Sequence, residues 1–133
     1  RVRGLDEFQS RVRALGERLG PVRVSLQSVR DEGAIEFLLG SLDPGLRVAF
    51  DLEHPSWDGI ELRLSGAGAV RVNDLDHPAP FRYLRLRQPP YDEAALHELA
   101  TAIRTVAEPT YVYFRHEDEP TAPAYAQRLL ELL

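Results

Sequence analysis

A chain of 133 residues with 44% hydrophobic and 28% charged residues has the size and composition of one soluble globular domain. Its net charge of −5, without a basic run, argues against nucleic acid and anionic membrane as partners. No stretch approaches the roughly 20 apolar residues of a membrane span and no signal peptide is recognisable, so a cytoplasmic protein is expected. The lack of cysteine and lysine excludes thiolate and Schiff-base chemistry.

Helix-like and strand-like segments alternate along the chain. Helices are predicted over residues 5–19, 31–42, 57–64, 92–106 and 121–133, where apolar residues recur at helical spacing. Strands are predicted over residues 21–27, 46–53, 69–73, 81–87 and 110–116. This alternation predicts five βα units of the α/β class with a parallel sheet, because parallel neighbours need a long connection back to the same sheet edge.

Polar and apolar residues alternate within the strands. In residues 22–27, for example, three apolar residues alternate with Arg23, Ser25 and Gln27. A strand with one polar face is costly in an open sheet that is covered on both sides, whereas in a barrel or half barrel the polar set points inward. The pattern therefore favours a barrel-like arrangement with polar inner side chains.

Ligands of parallel α/β sheets bind at the carboxyl ends of the strands, and this chain has polar residues there. Candidate catalytic residues are Asp51, Glu53 and His54. Candidate ligand-binding residues are Gln27, Trp57, Asn73, Arg85, Arg87 and His116. Six of these nine are expected at one mouth of the sheet, namely Asp51, Glu53, His54, Arg85, Arg87 and His116.

Arg85 and Arg87 project from one strand face and could clamp a phosphate or carboxylate. The equally weighted alternative is a salt bridge to Asp51 or Glu53. These two carboxylates could in turn form a pair with a raised pKa or bind a cation, but pairing with arginines such as Arg47 or Arg85 is the commoner outcome.

The histidines and the tryptophan leave similar alternatives open. His54 and His116 could act as a general base or as metal ligands, yet four histidines without a tight motif predict no metal site. Trp57 could stack on a sugar ring or lie in the core. No phosphate-binding loop, dinucleotide fingerprint or nucleophile elbow is present, so no cofactor is expected.

Four stretches of the sequence carry a resemblance to a known family. Residues 50–57, Phe-Asp-Leu-Glu-His-Pro-Ser-Trp, resemble the acidic, Arg-His, Ser-Trp segment of the bacterial family called domain of unknown function 72 (DUF72, YecE-like). Residues 15–21 with the following strand, residues 81–86, and residues 111–114 with the helix after them resemble three further segments in order and spacing. The resemblance covers about residues 5–133.

The resemblance implies a TIM-like (β/α)8 barrel of uncharacterised activity, of which this chain matches the last five units. The family's opening strands have no counterpart here. We therefore expect a single partial barrel domain over residues 1–133, open or incomplete, with self-association or a missing N-terminal segment to complete it. The chain begins with Arg1 and lacks methionine, which also suggests part of a longer product.

Several strand-end residues depart from the family pattern. Glu53 replaces an arginine, Arg87 and Gln88 replace a His-Gly pair, and Arg115 and His116 stand where asparagines are usual. We expect binding of a small polar or anionic ligand, such as a sugar or sugar phosphate, at the strand ends. The alternative is a non-catalytic scaffold or binding module, a degenerate barrel remnant, and the residues leave open whether the protein is an enzyme.

Overall fold

The computed structural model describes residues 4–116 and 118–133, so residues 1–3 and 117 of the expected domain lie outside the described part. Helices and strands alternate along it, with two single-turn 3-10 helices at Gly16–Arg18 and Pro55–Trp57. The helices are α1 (Leu5–Arg13), α2 (Glu32–Ser41), α3 (Glu61–Gly66), α4 (Glu93–Arg104) and α5 (Ala122–Leu132). The strands are β1 (Val22–Leu26), β2 (Val48–Leu52), β3 (Val70–Arg71), β4 (Arg82–Leu86) and β5 (Thr110–Phe114).

The strands form two small parallel sheets. One has the order β1-β2-β3 and the other pairs β4 with β5, so the α/β class and the parallel pairing are confirmed. No closed barrel forms within residues 4–116 and 118–133. A helix follows β1, β2, β4 and β5, whereas β3 leads through a loop to β4, and the expectation of five βα units is therefore not confirmed.

Local sequence explains where the helices begin and end. Asp31 and Asp92 accept hydrogen bonds from the backbone N–H groups of Ala34 and Ala95 and so cap α2 and α4. The first helix is shorter than expected: α1 ends at Arg13, and Gly16, the first residue of the following 3-10 turn, has a φ of 52°. A left-handed glycine ends a helix because it continues the chain without a steric penalty.

The alternation within β1 and β2 separates the core from the polar face. On one side Phe50 and Leu52 of β2 pack with Ile35 and Leu38 of α2. Trp57 joins the same cluster and is fully buried. The opposite side carries a smaller buried cluster, which consists of Ala49, Val70, Val72, Phe81 and Tyr83.

Asn73 links the two sheets. Its backbone N–H donates to Tyr83 O at 2.9 Å, and its side-chain amide donates to Arg85 O at 3.1 Å and accepts from Arg85 N at 2.7 Å. The side chain thus takes the place of a neighbouring strand for Arg85 and fixes β4 against the end of β3.

Among the helices of the described residues, none combines the length and the hydrophobicity that a membrane span requires.

Candidate functional site

A buried carboxylate, Asp51, lies at the centre of an arginine cluster. Asp51 Oδ2 accepts hydrogen bonds from Arg23 Nη1 at 2.7 Å and from Arg85 Nη1 at 3.1 Å. Asp51 Oδ1 lies 3.6 Å from Arg87 Nη2. Three strands, β1, β2 and β4, therefore meet at one carboxylate, because the polar sides of their alternating sequences face each other.

Glu53 forms the outer part of this cluster. Glu53 Oε1 lies 2.6 Å from Arg87 Nη1, and the two side chains are 39% and 32% exposed. The hydrogen bond to Glu53 raises the pKa of Arg87 above its ordinary value, although partial burial acts against it. Arg87 thus bridges a buried carboxylate and an accessible one.

The cluster carries one excess positive charge. Its members are three guanidiniums, Arg23, Arg85 and Arg87, against two carboxylates, Asp51 and Glu53. The salt-bridge alternative predicted for the two strand-end arginines is therefore realised for both. The expected pairing of Arg47 with these carboxylates is not formed: Arg47 instead donates to Tyr111 Oη and to Leu19 O.

Two stacked tyrosines lie beside the arginines. The rings of Tyr83 and Tyr113 are 4.9 Å apart with an interplanar angle of 27°. Burial raises the pKa of Tyr83, and the neighbouring Tyr113 acts in the same direction, while Arg23 and Arg85 oppose the shift. Tyr83 is thus held as a neutral phenol beside the charged cluster.

An acidic rim adjoins the cluster. Arg71 of β3 donates to Glu61 Oε1 at 2.5 Å and to Asp58 Oδ1 at 3.1 Å. Burial works against the charge of Glu61, but hydrogen bonds from its own backbone N–H and from Arg71 outweigh it and lower the Glu61 pKa. On the same rim the His77 pKa is raised by a hydrogen bond to Asp74.

In the described residues, no hydrogen bond or ion pair joins the predicted residues His54, Gln27 and His116 to the arginine cluster. His54 accepts a hydrogen bond from the Ser56 backbone N–H through Nδ1 and lies 2.8 Å from Ser56 Oγ, so this nitrogen is occupied locally. Gln27 follows β1 and is exposed. His116 is exposed beyond β5 in a depression with Arg115, and no ion pair in residues 4–116 or 118–133 joins it to Asp51.

Trp57 is a correction to the list of ligand-binding candidates. Its side chain is 0% exposed, and Nε1 donates to Ser28 O at 3.0 Å. An indole enclosed in this way has no face left for a sugar ring, so the core alternative describes Trp57.

Comparison with known proteins agrees with the resemblance in the sequence. The model of the family described as "Protein of unknown function DUF72" matches residues 1–133. The chain belongs to the DUF72 family. No curated protein and no solved structure matches it.

Sequence reasoning missed Arg23 as a member of this DUF72 site. The alternation within β1 was a signal for it, since it places Arg23 on the polar side of the strand. In the structure Arg23 pairs in register with Ala49, two residues before Asp51. The acidic rim was also missed, because Arg71 and Glu61 belong to a two-residue strand and a short helix with no motif of their own. No group of three or more metal-ligating side chains occurs in the described part of the chain.

Proposed function

We propose that this DUF72 protein binds a small anionic or polar ligand, such as a sugar or sugar phosphate, at the carboxyl ends of its strands. The observation that supports this most is the excess positive charge of the arginine cluster together with the partial exposure of Arg87. Arg87 lines a cleft of about 470 Å³ that also includes Asn73 and Arg85. This volume lies within the usual range for small-molecule sites.

Glu53 acts in this proposal as a replaceable partner of Arg87. An ion pair between two exposed side chains contributes only about 0–1 kcal/mol. A ligand that offers two oxygens to one guanidinium forms a stronger, bidentate pair. An incoming anion can therefore displace Glu53 from Arg87 at small cost, while Asp51 continues to hold Arg23 and Arg85.

The residues of this site favour binding over catalysis. The Asp51 side chain is buried, its Oδ2 accepts from two guanidiniums and its Oδ1 lies 3.6 Å from a third, so this carboxylate is poorly placed to take a proton from a substrate. His54 is engaged with Ser56. Glu53 is the candidate with an accessible carboxylate, and it would have to leave Arg87 before it could act as a base.

The architecture proposed for this site is an arc of a TIM-like barrel. Its support is the sequential order of the parallel strands within each sheet and the bridge that Asn73 makes from β3 to β4. Parallel strands that follow one another in chain order, connected by helices on the outer side, are typical of such barrels. A missing segment or a second chain would complete the arc.

A non-catalytic scaffold remains the second candidate, and one observation favours it. Each arginine of the cluster already has a carboxylate partner, as in a purely structural network. In a scaffold, association would use the outer edges of β1 and β5, which pair with one strand each in the described residues. Sedimentation should then detect oligomers, and a stable monomer at high concentration would contradict this candidate.

Thermal unfolding with added anions tests the binding proposal. A ligand that binds only the folded state at 100 times its Kd stabilises it by about 2.7 kcal/mol, so phosphate or sulfate should raise Tm by several degrees above chloride of equal ionic strength. Arg87→Lys should remove most of this rise, because Arg87 is the guanidinium that Glu53 would release to the anion and lysine lacks the planar donor pair. Arg63→Lys, in an exposed pair with Glu32, is the matched control and should keep it. Equal Tm values in all three salts would refute the proposal.

A further inference from the structure

The cleft beside Arg87 is also lined by residues that were not among the predicted ligand-binding residues. Besides Asn73 and the arginines, Pro90, Tyr91 and Ala95 line the cleft and form what we call its apolar wall. Gln88 also lines the cleft and is exposed, so its amide can meet a bound molecule. The lining of the cleft therefore combines cationic and amide groups with a largely apolar set of residues.

The apolar wall is held rigidly from behind. The Tyr91 ring lies 5.5 Å from that of Phe114 and 5.4 Å from that of Tyr125, at interplanar angles of 77° and 82°. Tyr91 Oη accepts a hydrogen bond from the Gln88 backbone N–H at 2.9 Å. Edge-to-face contacts and a fixed hydroxyl leave the ring few alternatives, so a ligand would meet a preorganised surface.

Ala95 gives this wall its shape. It lies in the first turn of α4, where its N–H is bound by Asp92, and its methyl group leaves room that a longer side chain would fill. Its neighbour Ala94 occupies the same turn but is exposed and does not line the cleft. The two alanines therefore provide a test position and a matched control.

We infer that the cleft selects a pyranose phosphate over smaller anions. This rests on the proposed anion site: the phosphate meets Arg87, the apolar face of the sugar ring packs on Pro90, Tyr91 and Ala95, and a hydroxyl pairs with the Gln88 amide. Sugar rings present apolar C–H faces edged by hydroxyls, which suits a cleft lined by both apolar residues and an exposed amide. Inorganic phosphate uses the cationic side alone.

Titration calorimetry with glucose 6-phosphate, glycerol 3-phosphate and inorganic phosphate tests the inference. Burial of about 50 Å² of apolar surface corresponds to roughly tenfold tighter binding, so glucose 6-phosphate should bind about tenfold more tightly than the other two. Ala95→Leu should abolish this advantage, so that glucose 6-phosphate binds no more tightly than inorganic phosphate. Ala94→Leu should preserve both affinities.

The outcomes separate this inference from the proposed function. Equal binding of all three anions, or a sugar advantage that survives Ala95→Leu, would overturn the sugar subsite and leave the anion site standing. Tighter binding of phenyl phosphate than of glucose 6-phosphate would also overturn it, because the wall would then serve an aromatic ring. Absence of binding by any anion would overturn both.

Discussion

Asp51 Oδ2 lies 3.1 Å from Arg85 Nη1 although the two residues belong to different sheets. The same oxygen accepts from Arg23, so one carboxylate connects β1, β2 and β4. Since Asp51 is buried and its partners are about a third exposed, the carboxylate is the member whose loss leaves unpaired charge. The cluster is thus both part of the fold and the centre of the candidate site.

Asp51→Asn should destabilise the protein. Removing one member of a buried pair typically costs about 3–5 kcal/mol, and the partial exposure of the arginines reduces the expected loss to about 2–3 kcal/mol. Urea unfolding measures it. Glu32→Gln, which removes the partner of exposed Arg63 and of half-buried Arg30, is the control and should cost much less, because the Glu32 carboxylate lies in solvent. Equal losses in the two variants would contradict the central role of Asp51.

Replacing Asn73 with alanine should destabilise the protein more than replacing it with glycine. Its φ of 65° lies in the left-handed region, which alanine adopts only with strain. Both substitutions lose the hydrogen bonds to the Arg85 backbone, but glycine avoids the strain. We expect losses of about 1 kcal/mol for Asn73→Gly and about 2 kcal/mol for Asn73→Ala in urea unfolding. An alanine variant as stable as the wild type would show that the bridge is unimportant.

Trp57 should report on the core and should not respond to ligands. It is the single tryptophan and is fully buried, so its emission should be blue-shifted and protected from acrylamide in the native state. Trp57→Phe should cost about 1–3 kcal/mol through lost volume and the lost bond to Ser28 O. Strong quenching by a sugar, with a red-shifted native spectrum, would instead place the indole in a binding site.

The Asp74 and His77 pair should make stability depend on pH. Because the folded-state pKa of His77 is raised, its contribution is fully present below the unfolded pKa, ~6.5, and is lost as the pH rises through the folded pKa. His77→Gln should therefore lower the urea midpoint at pH 5.5 and leave it nearly unchanged at pH 9. His97→Gln, at an exposed i,i+4 pair on α4, serves for comparison. A larger effect at pH 9 than at pH 5.5 would reverse the assigned sign.

Much of the fold followed from residue alternation, which depends only on local geometry. The period of two in residues 22–26 and 48–52 placed Arg23 and Asp51 on the polar side, and the structure agrees. The shared face of Asp51 and Arg85 followed from the same reasoning. The caps at Asp31 and Asp92 are likewise local signals.

Other features depended on contacts that local sequence does not encode. Trp57 has the same flanking residues whether its ring is buried or exposed, and its burial depends on packing with α2 and β2. The choice of Asp51 as the common partner of three arginines required the relative position of two sheets. The early end of α1 depended on Gly16, whose left-handed φ competes with an apolar stripe that continues past it.

The most direct test of the anion site is the NMR response of individual arginine side chains to phosphate. On titration, the Nε–Hε signals of Arg85 and Arg87 should shift together and saturate. Glu53→Gln should strengthen the apparent affinity for phosphate, because a neutral amide then replaces the carboxylate that competes for Arg87. The signals of Arg63 and Arg128, which lie in exposed pairs elsewhere, should stay unchanged. Small, non-saturating shifts of all arginines alike, unaltered by Glu53→Gln, would contradict the anion site and leave Arg85 and Arg87 as structural partners of Asp51 and Glu53.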